Sequence, residues 1–455
     1  MDRRNFLKAT GALTTTAMLS QNNQTYAQPK LRTGEHVLIL GAGLSGLSAA
    51  YLLHKQNIPF TILEARNRIG GRVFTHTADE AENLHVELGA EWVGASHERI
   101  QALCKELNLN LLNHQFETHL TLEGQYFKPK QWNYEQNWTS KYQTLLTNFK
   151  QLTSKNSKVL DQIDWWRYLN NQGISEKDIE LKELFDSTDF GESIRNVSAY
   201  ASLSEYAYSS PNNEMDFRIE RGNTRLVEAM AEKIGMTHIM LSKKATHVKQ
   251  EGKQVQVLCE DGSQYNGHRL ICTLPVFALS KINWQPGLPA DKTDALNQLQ
   301  YCRIIKSAVV FKERFWQEEA FDMVTDTTAH YFFHSSKNLK SVKGTLTSYA
   351  IGEKAHVLSK MNQEQKIREI CQGLKPAFGD VLPYAEKVVS YYWGGDAFSK
   401  GAYAIYDTHQ WFGIRENLAK PFRNISFAGE HLADWQGFME GAIQTGEDAA
   451  KGLLT

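Results

Sequence analysis

Residues 36–53 read HVLILGAGLSGLSAAYLL, so that a short apolar run, three glycines and a second apolar run follow one another. The first run predicts a buried strand and the second predicts a helix, which places the glycines on the turn between them. Gly41 permits a tight turn, Gly43 lets a ligand approach the backbone, and Gly46 lets the helix pack against the strand. A phosphate group at the N-terminus of this helix is therefore predicted to be held by Gly41, Ala42, Gly43, Ser45 and Gly46.

The residues that follow extend this pattern to a dinucleotide site. A second apolar run, FTIL at 60–63, predicts a neighbouring strand and ends in Glu64. A carboxylate at that point can accept hydrogen bonds from both hydroxyls of a ribose. A lone glycine triplet would often be a tight loop without a ligand. The strand, the helix and the terminal acid together favour a dinucleotide site over that alternative.

The segment EARNRIGGRV at 64–73 adds a second glycine pair and three arginines, which distinguishes this site from one for NAD. Arginines there can meet a pyrophosphate, and the glycines let the backbone lie along a cofactor. This segment and ELGAEWVG at 87–94 resemble the flavin-containing amine oxidase family, whose members include monoamine, polyamine and L-amino acid oxidases. The resemblance implies FAD as the cofactor, in contact with Glu64, Ala65, Arg66, Gly70, Gly71, Arg72, Gly89, Ala90, Glu91 and Trp92.

The end of the chain carries the second strong part of the resemblance. Residues 425–431 read ISFAGEH and residues 437–442 read GFMEGA, which predicts a strand, a loop and a helix rich in small residues. By resemblance, Glu430 bonds the ribityl chain, and the helix N-terminus near Met439 faces the pyrimidine end of the flavin, where it stabilises the anionic reduced form. A glycine-rich helix packed in a core is the alternative. The residues implied at this end are Gly429, Glu430, Phe438, Met439 and Ala442.

The adenine end of the cofactor is assigned by resemblance alone. Family members hold it through the backbone of the residue that matches Val248, in the segment ATHV at 245–248. The alternating run QVQVL at 254–258 predicts a neighbouring strand. A core residue without a ligand is the alternative for Val248.

One lysine interrupts an otherwise apolar strand, IIKSAVVF at 304–311. Burying an unpaired lysine is costly, so Lys306 is predicted to have a partner unless it reaches the edge of its sheet. In the family, the matching lysine holds a water against N5 of the flavin. The resemblance therefore implies that Lys306 serves oxygen activation or hydrolysis of the imine.

Aromatic residues are implied to flank the substrate. Tyr403 follows the segment YYWGGD at 391–396 and matches a family aromatic that stands perpendicular to the isoalloxazine ring, while Phe438 matches the opposite wall. Two facing rings orient an amine nitrogen and attract it through their π faces. Trp393 is a further catalytic candidate. Core aromatics are the alternative for these residues.

Two positions depart from some members of the family. Ala402 stands where some monoamine oxidases attach FAD through a cysteine, so FAD is expected to be held without a covalent bond. Trp92 stands where venom-type L-amino acid oxidases carry an arginine that clamps the substrate carboxylate. The second departure favours amines over amino acids, unless another arginine such as Arg218 supplies the clamp.

These motifs predict an α/β fold, in which a discontinuous, doubly wound (Rossmann-like) FAD domain is joined to a mixed α+β substrate domain. The FAD domain is discontinuous because its two strong motifs lie at opposite ends of the chain. It is predicted over residues 36–95, 214–284 and 421–455, and the substrate domain over residues 96–213 and 285–420. Residues 107–211 contain no recognisable motif.

The first 27 residues predict an export signal rather than a part of the fold. Arg3 and Arg4 precede a weakly apolar run from Ala9 to Leu19, and a cleavage point is predicted after Ala27. The run is too short for a membrane anchor, so residues 1–27 are predicted to be a twin-arginine export signal. A disordered N-terminus is the alternative. The predicted location is periplasmic or secreted.

Charge and cysteine usage exclude other classes of function. The formal net charge is −1, which argues against nucleic acid or an acidic membrane surface as a partner. Five cysteines are widely scattered and form no Cys-x-x-Cys pair, so no metal site is predicted. The expected partners are O₂ and a small amine or amino acid, and assembly as a homodimer is left open.

The predicted reaction is FAD-dependent oxidative deamination of a primary amine by O₂, which yields an imine or carbonyl product, ammonia and hydrogen peroxide. One alternative is an L-amino acid oxidase that yields a 2-oxo acid, ammonia and hydrogen peroxide. A second alternative is a protein that binds FAD without being an oxidase. The aromatic pair and Lys306 argue against the second alternative. In the predicted reaction the flavin performs the chemistry and the protein orients the substrate.

Overall fold

The structure, a computed structural model, describes residues 30–454. The export signal predicted over residues 1–27 lies outside this range and stays a prediction. In the part of the chain that the structure describes, no helix is both long and apolar enough to cross a membrane.

A five-stranded parallel sheet carries the first glycine motif at the end of its middle strand. Its strands, in order across the sheet, are Ile425–Phe427, Arg269–Cys272, Val37–Leu40, Phe60–Leu63 and Ile239–Met240. Val37 and Ile39 of the middle strand join one hydrophobic cluster, whereas Leu38 and Leu40 join another. Because both faces of this strand are buried, it reads as a continuous apolar run.

Different layers cover the two faces of the parallel sheet. The cluster around Val37 includes side chains from the helices Leu44–Lys55, Thr224–Ile234 and Met439–Leu454. The cluster around Leu38 includes Val255 and Val257. These valines belong to a four-stranded sheet, whose order is Gln264–Gly267, Gln254–Cys259, Ala245–Glu251 and Asn283–Gln285.

A seven-stranded sheet forms the second core. Its order is Ala385–Tyr392, Ile304–Phe311, Gly344–Ile351, Tyr331–His334, Phe321–Thr325, Glu117–Leu122 and Gln125–Phe127. Only the neighbours Phe321–Thr325 and Glu117–Leu122 run parallel among the described strands of this sheet. Every residue of Ile304–Phe311 and Gly344–Ile351 is buried, so these strands lie at the centre of the core.

Short two-stranded ladders and further helices complete the fold. Two-stranded ladders join Thr75–Asp79 to Leu84–Glu87, Leu111–Asn113 to Phe217–Ile219, and Gln300–Tyr301 to Ala404–Ile405. Further α-helices are Glu98–Glu106, Trp138–Lys150, Ser154–Leu160, Trp165–Asn171, Glu176–Phe190, Ala199–Tyr208, Val276–Leu279, Ala290–Gln298, Gly352–Lys360, Gln363–Phe378 and Ile414–Ala419.

The predicted α/β class is confirmed by the parallel sheet and its covering helices. The strands of this sheet come from stretches 37–63, 239–272 and 425–427, which are far apart along the chain. The predicted domain boundaries themselves stay a prediction. Residues 96–213 contain six of the helices, but Glu117–Leu122 and Gln125–Phe127 add strands that the sequence pattern did not predict.

Two helices meet closely at the first glycine motif because one of them has no side chain there. A Cβ atom added to Gly446, in the helix Met439–Leu454, would lie 2.0 Å from the carbonyl oxygen of Ser45. Gly46 is restricted in the same way, since its added Cβ would lie 2.0 Å from the carbonyl oxygen of Gly41. These contacts bring the C-terminal helix against the turn that carries the motif.

Replacing Gly446 with alanine is expected to lower the free energy of unfolding by about 1–3 kcal/mol, because the added methyl group forces the helices apart. The matched control is Gly452→Ala in the same helix, where an added Cβ would meet no atom of the described residues within 4 Å. The control is expected to be neutral or stabilised by up to about 1 kcal/mol, because alanine favours the helix. Both values come from denaturant unfolding at a fixed excess of cofactor. Equal stability of the two variants would contradict the close packing.

Candidate active site

A cavity of about 610 Å³ joins the first glycine motif to the seven-stranded sheet. It is lined at one end by Gly41 and Glu64, and at the other by Tyr331 and Tyr349. Most residues singled out from the sequence lie in its wall. They are Gly41, Gly43, Ser45, Glu64, Ala65, Arg66, Gly70, Gly71, Arg72, Gly89, Ala90, Glu91, Trp92, Lys306, Trp393, Tyr403, Gly429, Glu430, Phe438, Met439 and Ala442.

Of the three glycines in the first motif, Gly43 leaves room for a ligand, and the other two support the turn. Gly41 has a φ of +102°, in the region that favours glycine. An added Cβ at Gly43 would meet no described atom within 4 Å, although this residue lines the cavity. Among the described residues, Ala42 and Gly46 were predicted to contact the cofactor but are not part of the cavity wall. They shape the turn instead, since Gly46 packs against it and the Ala42 N–H donates to Glu64.

Glu64 is held in place by the backbone around it. The Ala42 N–H donates to its Oε2 (2.7 Å) and the Arg66 N–H donates to its Oε1 (2.8 Å). Burial raises the pKa of Glu64, and these two hydrogen bonds act against that shift. Each carboxylate oxygen keeps a further lone pair, so Glu64 can still accept from the hydroxyls of a ribose.

Two of the three arginines in the segment predicted to meet a pyrophosphate, Arg66 and Arg72, are paired with acids. Arg66 donates to both carboxylate oxygens of Asp396, at 2.9 and 2.7 Å. Arg72 Nη1 donates to Glu430 Oε1 (2.6 Å) and to the carbonyl oxygen of Ala402 (2.9 Å). Both arginines still line the cavity, but their charges are balanced within the protein. Asp396 is the last residue of the segment YYWGGD at 391–396. Nothing in the sequence indicated that it pairs with Arg66.

Glu430 connects three segments of the cavity wall. Besides accepting from Arg72, its Oε2 accepts from the backbone N–H of Gly437 at 2.9 Å, and its Oε1 accepts from the N–H of Ala404 at 3.3 Å. Glu430 is 5% exposed. Its assigned contact with a ribityl chain stays a prediction, and the structure adds that it fixes the backbone around Tyr403.

The side chain of Val248 lies inside a sheet, and its assigned contact with the adenine end stays a prediction. This residue is fully buried inside the four-stranded sheet, where it pairs with Val257 on one side and Trp284 on the other. Of the described residues in this strand, Ala245 and Thr246 line the cavity and Val248 does not. The strand enters the cavity wall at its first residues, a register that the sequence alone did not fix.

Lys306 forms a buried ion pair. Its strand is paired on both sides, opposite Tyr349 and Tyr391, which excludes the sheet-edge alternative. Lys306 Nζ donates to Glu91 Oε2 at 2.9 Å, and both side chains are at least 96% buried. The partner that burial of the lysine requires is therefore Glu91. Glu91 was predicted to lie along the flavin, and nothing in its sequence context indicated this pairing.

The opposite oxygen of Glu91 faces two further groups. His114 Nε2 lies 3.0 Å from Glu91 Oε1, and Arg218 Nη1 lies 3.8 Å from the same oxygen. Burial raises the pKa of Glu91, but Lys306, His114 and Arg218 outweigh this effect and hold it below its ordinary value. Glu91 is therefore ionised, which keeps Lys306 paired.

The aromatic pair lies in the cavity wall, and each ring is fixed by other neighbours. The Tyr403 hydroxyl donates to the backbone carbonyl oxygen of Asp189 at 2.6 Å and lies 2.9 Å from the hydroxyl of Tyr349. The ring of Phe438 packs edge-to-face against His97, with centroids 4.9 Å apart. Both rings are thus restrained before any substrate arrives.

The two tryptophans of the site differ in their indole N–H groups. Trp393 Nε1 donates to the carbonyl oxygen of Leu88 at 2.7 Å, so this buried ring supports the wall rather than presenting a polar group to a substrate. Trp393 lines the cavity, and its catalytic assignment stays a prediction. Trp92 Nε1 is buried and makes no hydrogen bond with the described residues.

The proposed carboxylate clamp lies outside the cavity. Arg218 is 3% exposed, and its Nη1 donates to the carbonyl oxygen of Ser335 at 2.8 Å. It is not among the described residues of the cavity wall. Instead, three acids that sequence reasoning missed, Asp189, Glu205 and Glu214, line the end beyond Tyr403. They lie in or next to the motif-free stretch 107–211, so no local pattern pointed to them.

The described residues form no group that could hold a metal ion, and no cysteine among them lines the cavity. No group of three or more metal-ligating side chains occurs within residues 30–454. All five cysteines are buried and unpaired, and the described cavity wall contains none of them. Ala402, in contrast, lines the cavity beside Tyr403.

Comparison with protein families gives a match over most of the chain. Residues 44–454 match the family model described as flavin containing amine oxidoreductase. The chain is 26% identical to flavin-containing amine oxidase A of Canis lupus familiaris, over 92% of this chain and 84% of that protein. It is 24% identical to flavin-containing amine oxidase B of Homo sapiens, over 92% of this chain and 86% of that protein.

Solved structures share the fold. A double mutant of putrescine oxidase superposes with a TM-score of 0.82 at 22% identity, over 93% of this chain and 99% of that one. Cyclohexylamine oxidase from Brevibacterium oxydans superposes with a TM-score of 0.82 at 19% identity, over 92% of this chain and 98% of that one.

Proposed function

We propose that this chain, which belongs to the flavin-containing amine oxidoreductase family and uses FAD to oxidise amines, deaminates a primary amine with O₂ as the electron acceptor. The products are an imine that water converts to a carbonyl compound and ammonia, together with hydrogen peroxide. One observation carries the proposal. A single cavity joins the glycine turn to the restrained pair Tyr403 and Phe438, and its far end is lined by carboxylates.

The residues of the cavity fit FAD. The open space at Gly43 suits the pyrophosphate beside the helix N-terminus, and Glu64 suits a ribose. Arg72 and Glu430 would stand along the flavin half, next to Ala402. Because no described cysteine lines the cavity, FAD would be held without a covalent bond. Acid precipitation tests this point, since a yellow pellet would mean a covalent link.

The chain orients the amine and leaves the redox chemistry to its cofactor. When bound, FAD supplies the acceptor for the hydride from the α-carbon and passes the electrons to O₂. Tyr403 and Phe438 flank the amine and limit its rotation, and their π faces attract the nitrogen. The Lys306 ammonium, held by Glu91, places a fixed positive charge and N–H donors in the wall of the site.

The charges of the wall favour an amine over an amino acid. A substrate carboxylate needs an unpaired cation, because burying it alone is costly. Five basic residues that line the cavity are each paired with an acid, namely Arg66, Arg72, Lys306, Lys243 and Lys244. Lys281 also lines the cavity and lies over the ring of Phe277. Arg218 does not line the cavity, so it does not supply the carboxylate clamp that an L-amino acid oxidase would need.

The proposed substrate preference is tested by kcat/KM for a primary amine and for the L-amino acid with the same side chain, followed as peroxide release. The amine is expected to be preferred by at least roughly 100-fold, because the amino acid would bring an unpaired carboxylate to acidic surroundings. Samples without O₂ are the control for peroxide. A preference for the amino acid would contradict the assignment.

Replacing Lys306 with methionine is expected to slow reoxidation of the reduced flavin by O₂ by roughly 10- to 100-fold, because a fixed charge and its N–H donors are lost. The rate is measured by stopped flow after anaerobic reduction. The control is Lys312→Met, an exposed lysine that follows the same strand. An unchanged rate in FAD-loaded Lys306→Met protein would make Lys306 a structural residue only.

A further inference from the structure

We propose that Tyr349 is a positioning residue, whose hydroxyl group holds the ring of Tyr403 in the position that the reacting amine requires. The inference rests on the proposed function, because it concerns the orientation of an amine between Tyr403 and Phe438. Tyr349 takes no proton from the amine. It acts through Tyr403, and its effect falls on the rate at which the amine is oxidised.

The hydrogen bonds at the tip of the Tyr403 ring run in one direction. The Tyr403 hydroxyl donates its only proton to the backbone carbonyl oxygen of Asp189 at 2.6 Å, and a carbonyl oxygen can only accept. The hydroxyl oxygens of Tyr349 and Tyr403 are 2.9 Å apart. The proton of this second bond therefore comes from Tyr349, and the two phenols form a chain that ends at Asp189.

Both phenol groups keep their protons. Burial raises the pKa of Tyr403 well above its ordinary value, and the neighbouring Tyr349 and Cys302 act in the same direction. Burial also raises the pKa of Tyr349 above its ordinary value. A general base must be able to take up a proton near the working pH, and neither phenol is ionised there. The two hydroxyl groups therefore serve to hold the wall of the site.

Two glycines let the ring of Tyr403 reach this position. Gly191 follows the helix Glu176–Phe190 with a φ of +70°, and a Cβ atom added there would lie 3.0 Å from the Tyr403 hydroxyl oxygen. A Cβ atom added to Gly437 would lie 3.3 Å from Cδ2 of the same ring. Backbone thus lies close to the tip and to one side of the ring, and the hydroxyl of Tyr349 binds the tip.

The strand that carries Tyr349 gives this contact a rigid base. Gly344–Ile351 is an inner strand of the seven-stranded sheet, in which Tyr349 pairs directly with Lys306. Tyr349 is 5% exposed, and Lys306 Nζ lies 5.8 Å from the centroid of its ring. Tyr403, in contrast, precedes the two-residue strand Ala404–Ile405. Functional side chains are held more precisely by sheets than by loops, so the bond from Tyr349 ties Tyr403 to the more rigid element.

A displaced ring affects the oxidation of the amine more than its binding. The amine nitrogen still meets a π face when the ring of Tyr403 shifts by a small amount. The α-carbon, however, must approach the hydride acceptor closely and in the correct direction for its C–H bond to break. The benefit of orientation is therefore realised in the transition state, and its loss lowers the limiting rate rather than the affinity.

The experiment follows anaerobic reduction of the FAD-loaded protein by a primary amine in stopped flow. Tyr349→Phe keeps the ring and removes the hydroxyl, and it is expected to lower the limiting rate of reduction by roughly tenfold. The affinity for tert-butylamine, which has no α-hydrogen and cannot be oxidised in this way, is measured from the change in flavin absorption. This affinity is expected to stay within about threefold of the wild-type value, because the π face of Tyr403 is retained.

The matched control is Tyr126→Phe, which removes a hydroxyl that lies 2.6 Å from His119 Nδ1 in the same sheet. Tyr126 is not among the described residues of the cavity wall, so this variant is expected to retain the wild-type rate. Tyr403→Phe breaks the same bond from the other side and serves as a second test if Tyr349→Phe does not fold. The double variant of Tyr349 and Tyr403 is expected to be no slower than Tyr403→Phe, because Tyr349 acts only through the lost hydroxyl. FAD content and thermal unfolding verify the fold of each variant.

The outcomes separate this inference from the proposed function. If Tyr349→Phe is reduced at the wild-type rate, or if its effect adds in full to that of Tyr403→Phe, the positioning role is wrong and amine oxidation stands. An equal loss of rate and of affinity for tert-butylamine would also overturn the positioning role, because Tyr349 would then act on binding. If no amine reduces the flavin of the wild type, the proposed function fails, and this inference fails with it.

Discussion

The ion pair between Arg72 and Glu430 joins parts of the chain that are 358 residues apart, and the shape of the cavity depends on it. Arg72 follows the second glycine pair, whereas Glu430 follows the last strand of the parallel sheet. The same two side chains also bind the backbone of Ala402, Ala404 and Gly437. Charge-assisted hydrogen bonds of this kind are strong and directional, so four separate segments are fixed around one wall. The cofactor end of the site can form only when both ends of the chain have joined the same sheet.

Acids of the site fall into two groups that differ in their partners. Glu64, Glu91, Asp396 and Glu430 each accept at least two hydrogen bonds or ion pairs from named partners, and they hold the wall together. Glu205 has no such partner, although it is buried in the same cavity. Two glutamates of the same cavity therefore differ in pKa. Neighbouring cations lower the pKa of Glu91, whereas burial and neighbouring acids raise the pKa of Glu205. The paired acids support the structure, whereas burial disfavours the charged form of Glu205.

Local motifs could be predicted from the sequence, whereas contacts between distant segments could not. The glycine turn, Glu64 and the C-terminal tail were found because the residues that each of these local structures requires are adjacent in the sequence. Burial of Lys306 predicted that it needs a partner, but Glu91 becomes that partner only when the strand Ile304–Phe311 meets a loop far away in the sequence, the one that follows the strand Leu84–Glu87. Ala245 and Thr246, rather than Val248, line the cavity, and which residues of a strand face a cavity is not visible in the strand's own sequence. Asp189 and Glu205 were missed because helices from a stretch without motifs bring them together.

The most direct test of amine oxidation at this site is a single turnover of the purified, FAD-loaded protein mixed with a primary amine in the absence of O₂. The account predicts that the absorption band of oxidised flavin disappears at a rate that rises and saturates with amine concentration. Admission of O₂ is then expected to restore the band and to release one peroxide per flavin. A band that stays unchanged at saturating amine, in protein whose flavin is still reduced by dithionite, would contradict the account.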